Sequence, residues 1–140
     1  MEKFLKGKIM YKNEQQIFNR VADHLFTQGK PSMNGMMCQY RGPKGTMCAI
    51  GCLIPDNKYN KNFDNMDVFS DTSVKTMRSK YKRIFNSFIS SKISDEFLER
   101  LQYLHDNCQT TIKGAFNKKY LKKELSDIAK EYELTFSMPN

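Results

Sequence analysis

Apolar residues recur at helical spacing along most of the chain. Ile17, Phe18, Val21, Ala22 and Leu25 fall on one face of a 3.6-residue repeat. Asn13 and Gln16 resemble a capping box at its start, while Gly29 and Pro31 are stop signals. The pattern predicts an amphipathic helix over 14–28, with Gln15, Arg20 and Asp23 on its exposed face. Val74, Met77, Tyr81, Ile84, Phe85 and Phe88 step by three and four in a second helical section, about 73–92. After a break near "SSKIS", Ser94 caps another helix. Asp95 and Glu96 sit in its first turn, where the helix dipole favours negative charge. Phe97, Leu98, Leu101, Leu104, His105 and Cys108 form its stripe. A last helix covers about 116–132, with Leu121, Leu125, Ile128 and Tyr132 inward; the tail "LTFSMPN" either adds a strand or frays.

Residues 36–54 have a different pattern. Gly42-Pro43-Lys44-Gly45 is turn chemistry, proline setting the first corner and glycine accepting a positive φ. A hairpin around it would put Gly42 opposite Thr46 and Tyr40 opposite Cys48. Cys38, Tyr40, Cys48, Ile50 and Cys52 would then share one face. Alternatively 46–54 is a buried helical turn, with Cys48 and Cys52 one turn apart. The run "MCAIGCLI" is apolar throughout, so periodicity leaves both open. Residues 55–72 are polar and read as a loop, with or without a short helical turn, with Asp56, Asp64, Asp67 and Asp71 keeping it solvated. The expected fold is α+β: a helix-dominated single domain, 1–140, with a small β-hairpin or irregular cysteine-bearing insert.

Composition supports this picture. At 140 residues and 39% hydrophobic, the chain can bury one core. No apolar run approaches the ~18 residues of a membrane span, and the N-terminus lacks the apolar stretch of a signal peptide. A soluble intracellular protein is expected, with its thiols reduced.

The four cysteines pose a chemical choice. Cys38, Cys48 and Cys52 follow a C-x9-C-x3-C spacing without the C-x2-C knuckle common in structural zinc sites. With His105 or Cys108 they could still form a four-ligand set. Unpaired cysteine more often packs as a small hydrophobe, and Ala49, Ile50, Leu53 and Ile54 around this segment favour burial. A catalytic thiol with His24 or His105 as base needs an electropositive, partly exposed setting. His105 lies on an apolar stripe and reads as a hydrogen-bonded core histidine, whereas His24, beside Asp23, reads as solvated. Hydrolase, P-loop, zincin and dinucleotide fingerprints are absent, as is the EF-hand pattern. No catalytic residue and no cofactor is expected.

Charge is more informative. The net charge is +8, favouring anionic partners. Residues 73–93 hold Lys75, Arg78, Lys80, Lys82, Arg83 and Lys92 with no acid. Residues 94–108 set Arg100 against four acids, and 109–140 include Lys118, Lys119 and Lys122 in "NKKYLKKE". A helix with core residues on one side and only bases on the other forms a positive stripe that can follow phosphates, though a solvated basic face has the same pattern. Arg41 and Lys44 beside the glycine turn would add an anion-holding corner. No helix-turn-helix, zinc-finger or RNA-binding aromatic signature accompanies these bases.

The stretches "VADHLFTQGKPS", "CQYRGPKGTMCAIGCLIPDNKY", "LQYLHDN" and "LSDIAKEYEL" resemble, in matching order, an uncharacterised family of small phage- and prophage-encoded proteins. The cysteine–glycine segment is the most distinctive of them. The resemblance implies expression in the cytoplasm of a host bacterium and an accessory role, with no activity or catalytic residue to carry over. Such a protein would dock on a host protein or ribonucleoprotein complex, for instance a defence system. Direct binding of nucleic acid or a nucleotide is the alternative, and a Cys/His-dependent enzyme a further one. No membrane partner is expected.

Overall fold

The computed structural model describes residues 9–35, 37–64 and 73–137. These form a helix-dominated α+β arrangement with a two-stranded antiparallel hairpin and several 3₁₀ turns. Helix α1 (Glu14–Gln28) begins where the Asn13 side chain accepts the Gln16 N–H. Gln16 Oε1 reaches back past the cap, accepting from Lys12 N at 2.7 Å. Gly29 ends the helix in the left-handed region, at φ 72°. Ile17, Phe18, Val21 and Leu25 are fully buried, and the Gly51–Leu53 turn packs on this face. Helix α4 (Asp95–Asn107), capped by Ser94, and helix α5 (Lys118–Glu131), capped by Asn117, also pack against α1 and against each other. No helix among the described residues is long and apolar enough to cross a membrane.

The section expected as one helix over 73–92 is two short ones. Helix α2 (Val74–Lys80) starts at the Ser73 cap, and α3 (Lys82–Asn86) follows a break at Tyr81, with φ −116° and ψ 45°. The break leaves the three-and-four spacing of apolar residues intact, so periodicity could not reveal it. At the break, the Tyr81 ring packs edge-on against Phe63, centroids 4.8 Å apart. Helical geometry also stops before Phe88. Ile89 instead forms a parallel bridge with Tyr11, held by Tyr11 N to Phe88 O and Ser90 N to Tyr11 O, both 2.9 Å.

The strands lie upstream of the expected turn. β1 (Met33–Asn34) pairs with β2 (Met37–Cys38), Met33 opposite Cys38. Around Gly42–Gly45 the expected register holds, with an Arg41–Met47 bridge, Gly42 N to Thr46 O at 2.8 Å and Cys48 N to Tyr40 O at 3.4 Å. The turn takes two left-handed residues, Lys44 at φ 58° and Gly45 at φ 76°. Beyond Cys48 the chain coils. Cys52 N donates to Cys48 O at 3.1 Å, and Gly51–Leu53 forms a 3₁₀ turn. Each alternative for this segment is therefore correct over part of its length.

Residues 56–64 are more structured than a solvated loop, with 3₁₀ turns at Asp56–Lys58 and Lys61–Asp64. Phe63 is fully buried against Tyr40, Tyr59, Tyr81 and Phe85. Asp64 accepts from Tyr40 N at 2.6 Å, from Arg41 N at 3.0 Å and from the Tyr59 hydroxyl. It is an internal hydrogen-bond acceptor, which corrects its reading as a solubilising residue. Asp67 and Asp71 lie outside the described residues. The tail to residue 137 is neither strand nor frayed. Thr135 N donates to Gln15 Oε1 at 2.9 Å, and Phe136 meets Phe18 edge-on at 5.5 Å.

Candidate functional site

The basic residues of the middle section gather around α3. Its first two residues point to different sides. Lys82 lines a groove of about 520 Å³ with Lys75, Arg78 and Lys92. Arg83 lines a second groove, about 570 Å³, with Lys58 and Lys61 from the preceding turns. Amide and hydroxyl groups fill in between: Asn86 and Ser79 on one side, Asn57, Asn60 and Ser87 on the other. The only carboxylate lining either groove, among the described residues, is Asp95. Lys58 and Lys61 were not expected at this site. They come from the polar segment 55–64, and folding of the Phe63 cluster brings them beside α3. The only signal in the sequence was the three-residue spacing of two lysines in "NKYNKN".

The expected binding residues do not all face outward unengaged. Arg78 is largely buried and acts as a clamp. Its guanidinium donates to Ile93 O at 2.7 Å, to Ser90 O at 3.3 Å and to Asp95 Oδ1 at 2.8 Å. It thereby ties residues 90–95 to α2. Arg78→Ala removes charge-assisted bonds to two backbone carbonyls and a carboxylate. It should lower unfolding stability by roughly 2–4 kcal/mol, measured by urea denaturation. Arg78→Lys should recover only part, because an ammonium cannot replace the guanidinium fork. A loss under about 0.5 kcal/mol, the range of ordinary surface substitutions, would refute the clamp.

Arg41 is engaged too. It pairs with Asp56 at 2.7 Å, donates to Ile54 O at 2.5 Å and lies over the Tyr59 ring at 5.0 Å. Lys44 is exposed at the tip of its turn. Lys75 is exposed where the first groove meets an acidic pocket lined by Glu96, Glu99 and Glu131. Lys80 is exposed, with its ammonium 5.6 Å from the Tyr81 ring. Lys118, Lys119 and Lys122 are exposed on α5 and line neither groove. Lys82, Arg83, Lys92, Lys61 and Lys75 have no ion-pair partner among the described residues.

The thiols form a separate arrangement. Cys38 Sγ, a nitrogen of His105 and an oxygen of Asp106 lie within 4.8 Å of one another. Cys48, Cys52 and Cys108 are outside this group, so the four-ligand set considered from spacing does not assemble. The remaining trio also fits a metal poorly. Ser32 N donates to His105 Nε2 at 2.9 Å, so that nitrogen presents its lone pair. His105 Nδ1 must then carry the proton, and it donates to Asp106 Oδ1 at 2.8 Å. A metal on Nδ1 would require an imidazolate held against a backbone N–H. His105 is instead a buried, hydrogen-bonded core histidine, as its stripe predicted. Asp106 Oδ1 also accepts from Gln102 Nε2 at 2.8 Å, and Gln102 Oε1 accepts from Ile50 N at 3.1 Å. This seam fastens the cysteine-bearing insert to α4.

Each thiol is held protonated. Burial, then the nearby Asp106, pushes Cys38 up to about 12. Burial pushes Cys52 up to about 12, Cys108 up to about 11 and Cys48 well above the ordinary thiol range. A nucleophilic thiol needs the opposite shift. His24 was expected to be solvated but is buried, with Nε2 donating to Met47 O at 2.8 Å. Burial lowers its pKa, the neutral ring being favoured where water is excluded.

Comparison with known protein families, curated proteins and solved structures finds no match to this chain.

Proposed function

We propose that this is a non-catalytic binding protein whose cationic face around α3 engages an anionic partner. The observation that carries this reading is the placement of Lys75, Lys82 and Lys92 on one side of α3, and of Lys58, Lys61 and Arg83 on the other. Like charges gathered with Asp95 as the one carboxylate between them, itself paired with Arg78, repel one another and gain from a polyanion that displaces their counterions. The protonated thiols and the internally bonded His105 supply neither nucleophile nor free base, which weighs against a Cys/His-dependent reaction. The resemblance to phage-encoded proteins suggests where such a partner is met: on an acidic or nucleotide-bearing component of host machinery, such as a defence complex, in an infected bacterium.

The test is retention on heparin. The wild-type chain should bind at low salt and elute on moderate salt. Lys82→Glu with Arg83→Glu should elute far earlier while the helical circular dichroism is unchanged. Both side chains are exposed and neither has an ion-pair partner among the described residues, and acids in the first turn of α3 suit the helix dipole. Equal elution of the two proteins would refute the cationic face as the binding surface.

A further inference from the structure

We infer that the partner of this face is the phosphodiester backbone of double-stranded DNA, held without regard to base sequence. This rests on the proposed binding role of the face and specifies the partner's chemistry. The lining is the first reason. Lysine, arginine, asparagine and serine side chains are the groups that contact phosphate oxygens, and they are 14 of the 18 residues lining the two grooves, the others being Tyr59, Ile84, Ile93 and Asp95. A protein partner would call for something else, namely an exposed aromatic or large aliphatic anchor at the centre. The large hydrophobic residues most exposed among those described are Met10, Tyr103 and Ile112, and none lines either groove.

The aromatics beside the grooves separate backbone contact from base contact. Non-specific binding of single strands depends on aromatic faces open for stacking. Tyr59 has the Arg41 guanidinium over its ring at 5.0 Å and Phe63 against it at 5.8 Å. Tyr81 packs on Phe63 at 4.8 Å with the Lys80 ammonium 5.6 Å from its centroid. Both rings are half-buried and engaged within the molecule, so among the described residues neither groove offers a fully open aromatic face for stacking. The third reason is placement. The major groove runs between two phosphate rows, and the bases lie on both flanks of α3.

The experiment uses the full chain, with fluorescence anisotropy on two unrelated DNA duplexes of about 20 bp, the matching single strand and poly-L-glutamate, between roughly 50 and 200 mM salt. Both duplexes should bind alike, more tightly than the single strand or polyglutamate. With Lys58, Lys61, Lys75, Lys82, Arg83 and Lys92 as the available contacts, the slope of log K against log salt should be no steeper than about −5.4, at about −0.9 per phosphate. Lys82→Glu with Arg83→Glu should make that slope shallower by about two and weaken duplex binding at least tenfold at the lower salt. Lys118→Glu with Lys119→Glu, at the start of α5 and lining neither groove, should change affinity less than about twofold. Equal binding of polyglutamate, preference for the single strand, or loss of binding only in the α5 variant would each overturn the inference. Retention on heparin through Lys82 and Arg83 with no duplex binding would sink it while leaving the proposed function standing. Failure on both would remove the two together.

Discussion

Gly51→Ala is expected to cost about 3–5 kcal/mol of unfolding stability, a large effect for one methyl group. A Cβ at this position would lie 2.0 Å from Tyr40 O and 2.8 Å from the Tyr40 carbonyl carbon. Both are backbone atoms, so no side-chain rotation relieves the clash. Tyr40 is itself restrained on both sides: its N–H is held by Asp64, and its carbonyl accepts from Cys48 N. Moving it away from residue 51 strains the Arg41–Met47 bridge and the Asp64 bonds together. Urea denaturation would measure the loss, with the melting temperature falling by roughly 10–20 °C. A variant within about 1 kcal/mol of the parent would mean that this segment gives way freely, contrary to the packing described.

Phe63→Ala should cost a similar amount, about 3–5 kcal/mol, by a different mechanism. The ring is fully buried at the meeting point of Tyr40, Tyr59, Tyr81 and Phe85. Removing it discards the transfer free energy of a phenyl group and leaves a cavity bounded by rings that cannot all collapse inward. Phe63→Leu keeps an apolar group of closer volume and should lose roughly half as much or less. Phe63 also joins the segment carrying Lys58 and Lys61 to α2 and α3, so its loss should weaken polyanion binding along with stability. Alanine and leucine variants of equal stability would show that the cluster contributes little.

The helices at both ends of the chain were legible from sequence because their signals are local. Asn13, Gly29 and Ser94 act on backbone groups within a few residues, and the stripes of α1, α4 and α5 face a single core. The middle section was legible only in part. The same apolar spacing runs through Tyr81 whether or not the helix continues, and contact with Phe63 accompanies the break. His24 resembled a solvated residue because the carbonyl that it meets, Met47 O, is far away in sequence.

The candidate site divides in the same way. That lysines and arginines concentrate without acids between 73 and 93 is visible in the bare sequence, as is the poor match of the cysteines to zinc spacing. Which of those bases face solvent is not visible there. Arg78 and Arg41 carry the same formal charge as Arg83, yet their guanidiniums are engaged by carbonyls and carboxylates brought from elsewhere in the chain. Residue order by itself determined the bounds of α1, the start of α4, the turn chemistry of Gly42–Gly45 and the excess of positive charge, because each depends on near neighbours or on a simple sum. Tertiary structure alone decided which cations lack an ion-pair partner among the described residues, that Lys58, its ammonium bonded to Ser87 Oγ, and Lys61 lie beside them, and that the thiols stay protonated. Those outcomes depend on burial and on partners distant along the chain, which only folding brings together.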